Sequence, residues 1–316
     1  MRYSEISGHR VSAVTLGTAQ LGMNYGIANR EGKPDRLKSF AILAAALKKG
    51  INSFDTARSY GDSEKILGDF FSAVPGHDKD LFITTKLSSG LGPGSAAAEV
   101  EAALVKSMEA SLSALKLPGA DCILMHNAND LRIHGRIVTD TLRNIIARGW
   151  ADMAGISVYN PEETELLLED DIFRVIQLPM NVLDQRFLVS GALDRLRKRG
   201  IHVFVRSIFF QGLLLMDSET ITDPDLKRYA VPRLRVLKRL SDKAGMSAAQ
   251  FALTFIRDIP GIDSLVLGME NPQQAAENLA LYEAPPLDDS LRHEAEESFK
   301  DLEYPEIMAV LSRPRQ

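Results

Sequence analysis

The segment Leu37–Asp55, LKSFAILAAALKKGINSFD, contains one complete structural period of this chain. Up to Lys49 its apolar side chains recur every three to four residues, as on the buried face of a helix. Gly50 then sits where a helix-closing turn is expected, and Ile51–Phe54 is a short apolar run that reads as a strand. Arg148-Gly149 and Arg199-Gly200 run from helix into strand in the same way. Outward from this unit the pattern predicts strands at Val14–Gly17, Ile51–Phe54, Leu81–Lys86, Cys122–His126, Asp152–Val158, Val175–Leu178, His202–Arg206 and Ser264–Leu267. Helices between them include Leu37–Lys49, Ser63–Phe71, Ala96–Leu115, Ile137–Arg148, Pro161–Leu168, Gly191–Arg199, Ala248–Ile256 and Pro272–Leu281. Eight strands alternating with helices fit a closed (β/α)8 barrel, of the TIM-barrel class, better than an open sheet of about five or six strands.

Met1–Val11 reads as an added N-terminal hairpin turning at Ser7-Gly8, and Leu287–Asp301 as an extra C-terminal helix. No linker or repeat divides the chain, so residues 1–316 are expected to form one domain. Hydrophobic residues at 45% and charged residues at 25% exclude a disordered chain. A net charge of −5 offers no basic surplus for a nucleic-acid partner. The single cysteine, Cys122, rules out a disulfide framework and reads as a barrel-packing residue. The first residues lack a signal-like apolar stretch and no run of 18 apolar residues occurs, so a cytoplasmic protein without a membrane partner is expected.

Polar groups collect where barrel strands end, which is where barrel enzymes place their chemistry. Asp55 closes the second strand and Tyr60 follows in its loop; Lys86 ends the third strand and His126 the fourth. Each residue alone has an ordinary reading as a turn cap, loop packing, a surface charge or a satisfied histidine. Four such groups on successive strands of one rim are hard to explain by packing.

Asp55, Tyr60, Lys86 and His126 resemble the catalytic tetrad of the aldo-keto reductases, and the surrounding text is similar too: Leu16-Gly17-Thr18, Gly50–Ala57, Tyr60–Glu64, Gly155-Ile156-Ser157, Ser264–Gly268 and Glu277-Asn278-Leu279. Within that family, Gly22–Asn29, Gln177–Asn181 and Arg206-Ser207 resemble a bacterial branch whose members are associated with surface-polysaccharide pathways. The resemblance implies an NAD(P)H-dependent reductase of aldehydes or ketones, working on a small carbonyl or alcohol with NADP(H) or NAD(H). In that chemistry Tyr60 would be the proton donor, and a cationic Lys86 would lower its pKa from about 10. Asp55 would hold the ammonium, and His126 would orient the carbonyl.

The resemblance further implies cofactor contacts from Gly17, Thr18, Ser157, Gln177, Arg206, Ser207, Gly268, Gln274, Glu277 and Asn278. Arg206 stands where many members stack a tyrosine on the nicotinamide, a role a guanidinium plane can also serve; a rim ion pair is its other reading. Gly268 and Gln274 occupy positions where a basic residue usually meets the 2′-phosphate of NADP(H), and Glu270 adds a negative charge, which points toward NAD(H). The six histidines have no ligand-like spacing, which implies no metal. Top loops Met23–Asp35, Ser88–Ser95, Asn127–Arg136 and Gln211–Asp225 would set specificity, and the polar Asn24, Asn127, Asn129, Asp130 and Gln211 point to a hydroxylated substrate such as a sugar. A non-catalytic, nicotinamide-sensing regulatory module on the same barrel is the alternative. Oligomeric state is left open by the sequence.

Overall fold

The computed structural model describes residues 1–29, 31–74, 80–300 and 304–313. Asp301, the last residue of the expected C-terminal helix, lies outside them, as do His77, one of the six histidines, and Arg30 within the first top loop. Two short strands, β1 (Tyr3–Ile6) and β2 (His9–Ser12), pair antiparallel as the expected hairpin. Eight further strands follow in chain order: β3 (Val14–Gly17), β4 (Ser53–Asp55), β5 (Phe82–Leu87), β6 (Ala120–Met125), β7 (Ala151–Ser157), β8 (Phe173–Pro179), β9 (His202–Arg206) and β10 (Ser264–Gly268). They form one parallel closed barrel in sequential order, with β10 returning to β3. All eight strands read from the sequence are present, with ends shifted by a few residues.

Strand parity splits the apolar residues into two layers. Outward-facing side chains such as Leu16, Phe54, Ile83, Ile123 and Ile176 pack beneath the surrounding helices in one large core. Inward-facing Phe82, Cys122, Leu124, Met153, Val175 and Phe204 fill the lower barrel lumen, closed from below by Ile6 and Val11 of the hairpin. Cys122 therefore packs in the barrel, where burial pushes its thiol far above the ordinary value. The hairpin is also tied on by polar contacts of a histidine. His9 lies between Asp121 and Asp152, with ring nitrogens 3.4 Å and 3.2 Å from their carboxylates. These three side chains come from β2 and the starts of β6 and β7, a grouping that no histidine spacing reveals, with the imidazole between the two carboxylates.

The C-terminal end departs most from the sequence reading. The extra helix is present as Asp289–Phe299, and a second, Tyr304–Leu311, follows it. A helix at Val231–Lys243 was not anticipated either. Among the described residues no helix is long and apolar enough to cross a membrane.

Candidate active site

Register sets the height of each reactive group. Asp55 pairs with Thr84, so Lys86 stands one inward-facing position higher on β5. Lys86 Nζ donates to Asp55 Oδ1 at 2.6 Å and to the Thr56 carbonyl at 3.0 Å, and both charged side chains are buried. A second donor, Gln177 Nε2, reaches the same Asp55 oxygen from β8 at 2.8 Å. The ammonium lies 4.9 Å from the centroid of the Tyr60 ring, and that ring meets His126 edge-on at 5.8 Å. The four rim residues are thus brought together.

The loop carrying Tyr60 is fixed by tight backbone contact. Gly22 ends the short helix Ala19–Gly22, and a β-carbon there would lie 1.7 Å from the Tyr60 carbonyl oxygen. Gly61, with φ +56°, answers it: a β-carbon would stand 2.3 Å from the Gly22 carbonyl oxygen. Thr18 ties the same loops, donating to the Asp55 carbonyl through its N–H at 2.9 Å and its hydroxyl at 2.8 Å. Ser59, unremarked in the sequence, places its hydroxyl 3.3 Å from His126 Nδ1.

Burial and charge set the protonation states. Burial pushes the Tyr60 phenol above its ordinary value near 10, and the pull of Lys86 in the other direction is smaller. The expectation that Lys86 lowers this pKa holds for the sign of its own effect, but desolvation outweighs it. For Lys86 burial acts downward, yet the Asp55 carboxylate and the Tyr60 phenol more than offset it, so the ammonium is held charged. Burial, with repulsion from Lys86, pushes His126 down to about 4 and leaves a neutral imidazole at pH 7.

A cavity of about 430 Å³ opens beside these groups and runs from Asp55 and Tyr60 to Asn278 and Leu281 on the helix Gln273–Tyr282. Gly17, Thr18, Arg206, Ser207, Gly268, Gln274, Glu277 and Asn278 all line it. Lys86, His126, Ser157 and Gln177 do not; the last two are 2% and 1% exposed, beneath its wall at paired positions on β7 and β8. Gln177 Oε1 is nonetheless a buried acceptor with no hydrogen-bond partner. Gln20, Tyr25 and Glu270 also line the cavity. Burial, with the nearby Glu31, raises the Glu270 carboxyl above its usual range. Gln274 spends its side-chain oxygen on the Glu270 N–H at 2.7 Å.

Two of the four top loops reach the cavity. Tyr25, Gly26 and Ala28 meet Gln211 and Gly212 there, joined by an Ile27 N–H to Gln211 carbonyl bond of 2.8 Å. The loops Ser88–Ser95 and Asn127–Arg136 bind each other instead, through Asp130 to Ser88 and Ser89. Asn24 accepts from the Lys33 N–H and Asn127 from the Asn129 N–H. Of the five polar loop residues that pointed to a sugar, Gln211 alone lines the cavity; Asn24 and Asn127 accept from backbone N–H groups of their own loops, and Asp130 ties its loop to Ser88 and Ser89.

Arg206 makes no ion pair with any described residue, which removes the rim ion-pair reading. Its guanidinium donates to the Val158 carbonyl at 3.0 Å and the Ser207 hydroxyl at 3.4 Å and lies 4.5 Å from the Tyr159 ring centroid.

Comparison with known proteins places the chain in a family. A family model described as "Aldo/keto reductase family" matches residues 13–298. The chain is 28% identical over 307 residues to an L-glyceraldehyde 3-phosphate reductase of Escherichia coli (strain K12), covering 88% of this chain and 86% of that protein. It is 23% identical over 314 residues to a probable voltage-gated potassium channel subunit beta of Arabidopsis thaliana, covering 91% and 93%. In fold it is similar to the aldo-keto reductase AKR11C1 from Bacillus halodurans (holo form), with TM-score 0.76 at 21% identity over 94% of this chain and 96% of the other.

Proposed function

The chain belongs to the aldo/keto reductase family of NAD(P)-dependent oxidoreductases, and on that premise we propose that it interconverts an aldehyde or ketone and its alcohol, with Tyr60 as acid and base and residues 1–316 acting as one domain. The observation that carries this reading is the buried Lys86, held charged by Asp55 at 2.6 Å and set against the Tyr60 ring at the end of the cavity. A phenol beside a fixed ammonium can give a proton to a developing alkoxide and take it back in reverse. A neutral His126 donates a hydrogen bond to the carbonyl oxygen without adding charge of its own.

The residues present fit a nicotinamide dinucleotide. The orphaned Gln177 oxygen is the kind of acceptor that a carboxamide N–H satisfies, and Ser157 stands beside it in register. Gly17, Thr18, Ser207 and Gly268 would line its path, Arg206 would stack on its ring, and Gln274, Glu277 and Asn278 would hold the adenosine end. When bound, this group supplies the hydride. Glu270 opposes a 2′-phosphate, which favours NAD(H) over NADP(H).

The test is turnover of a panel of aldehydes, ketones and aldoses with each reduced nicotinamide. Oxidation of cofactor coupled to alcohol formation is expected. The second reading, a nicotinamide-sensing regulatory module, draws on the likeness to a channel subunit beta. Tight cofactor binding with no turnover across the panel would favour it.

A further inference from the structure

Beside Arg206 the main cavity adjoins a smaller lobe of about 170 Å³. Tyr25, Arg206, Ser207 and Gln211 line both spaces, so the lobe borders the route to Tyr60. Its outer wall carries Tyr159, Asn181 and Tyr304, the last contributed by the terminal helix Tyr304–Leu311.

The charges here do not cancel. Asp184 borders the lobe and is fully buried, but Arg186 neutralises it through Nε at 2.8 Å and Nη2 at 3.0 Å. Arg186 itself is occupied: it also donates to Asn160 and to the Tyr159 carbonyl, and it lies 3.4 Å from the Tyr304 ring centroid. Arg206 is left as the net positive charge. No described carboxylate lies within ion-pair distance of it, and its polar contacts are one carbonyl and one hydroxyl, from a group with five N–H donors. A half-buried guanidinium with donors to spare and no counter-ion among the described residues is a site for an anion, because an arriving oxyanion recovers desolvation already suffered. The same charge acts on the reaction centre, where it lowers the pKa of both Tyr60 and His126.

We infer that this lobe is a subsite for an oxyanion, carboxylate or phosphate, carried on the far end of the carbonyl substrate, and that Arg206 selects it. The inference rests on the carbonyl reductase reading and deepens it. One face of the guanidinium lies over the Tyr159 ring and the opposite face is left for a second aromatic ring, since an oxyanion is bound by the in-plane N–H groups. The small volume of the lobe favours short acidic aldehydes over bulky apolar ketones.

Matched pairs test this. Succinic semialdehyde against butanal probes a carboxylate, and glyceraldehyde 3-phosphate against glyceraldehyde probes a phosphate. At least one anionic member is expected to exceed its neutral partner in kcat/KM by about tenfold or more, chiefly through KM, the effect of one charge-assisted hydrogen bond. Arg206→Gln should bring that ratio close to one, and Arg206→Lys should restore part of it. A wild-type preference below about threefold in both pairs, or one that Arg206→Gln leaves intact, overturns the inference while leaving carbonyl reduction standing. If no carbonyl is turned over, calorimetric binding of 4-hydroxybutyrate against 1,4-butanediol and of glycerol 3-phosphate against glycerol still decides it. Anion-selective binding that Arg206→Gln abolishes supports the subsite, and equal binding of both pairs overturns it.

Discussion

Gly22 and Tyr60 meet backbone to backbone, so closely that no β-carbon fits between them. The phenol is therefore positioned from the first barrel loop as much as from its own. Gly22→Ala is expected to force the two loops apart, costing about 1 to 3 kcal/mol as overpacking does, and to lower kcat together with stability. Denaturant midpoint and turnover measured on one preparation check this; an unchanged midpoint with full turnover would show that the contact does not hold Tyr60.

Tyr60→Phe and Lys86→Met separate the proton donor from the group that tunes it. Removing the hydroxyl should cut turnover by at least about 10²-fold while sparing cofactor affinity. Removing the ammonium takes away the charge that pulls the Tyr60 pKa down, so the limb of alcohol oxidation that needs phenolate should move to higher pH. Because Lys86→Met strands a buried Asp55, the same shift is to be read in Lys86→Met with Asp55→Asn. A pH profile unmoved at measurable rate would sink the tuning role.

His126 gives a pH dependence of opposite origin. Its folded value, about 4, lies below the ordinary 6.5, so its contribution to stability is fully present above 6.5 and is lost as pH falls toward 4. Ring resonances followed by NMR should stay neutral in form through pH 5. An imidazole half-protonated near 6.5 would contradict the burial argument.

Cofactor choice follows from Glu270 and the absence of a cation at Gly268 and Gln274. Losing such contacts costs roughly 1 to 3 kcal/mol, about 5- to 150-fold in affinity. Dissociation constants at one ionic strength are expected to favour NADH or to separate the two little, and Glu270→Gln should strengthen NADPH more than NADH. NADPH bound more than about a hundredfold tighter by the wild type would mean that a cation from elsewhere holds the phosphate.

The barrel was legible because its signal is periodic and local: glycine-closed helices leading into short apolar strands. The tetrad was legible because strand ends deliver side chains to one rim whatever the loops do. The helix Val231–Lys243 does carry a helical signal, with buried Val231, Leu234, Leu237 and Leu240 recurring every three residues and Arg233, Arg235, Lys238 and Arg239 between them. The cavity roof was not legible. Phe210 and Gln211 adopt left-handed backbone angles, φ 49° and 57°, and what they face is decided by tertiary contact with Ile27 and Ala28. Asn24, Asn127 and Asp130 misled because a polar loop residue more often holds its own or a neighbouring loop than a ligand.

The plugged lower lumen makes Lys86 a terminus for protons. Below it the buried hydroxyl of Thr84 has no hydrogen-bond partner among the described residues, and Phe82 and Phe204, with Ile6 and Val11 beneath, carry no proton onward. The hydroxyls of Ser53, Thr15 and Ser264 do form a chain through the barrel, with links of 2.7 Å, but it ends on the Ser12 carbonyl, which accepts and cannot pass on. Exchange with bulk water is left to the upper side alone, so whatever fills the cavity above Tyr60 also sets when the site can be recharged.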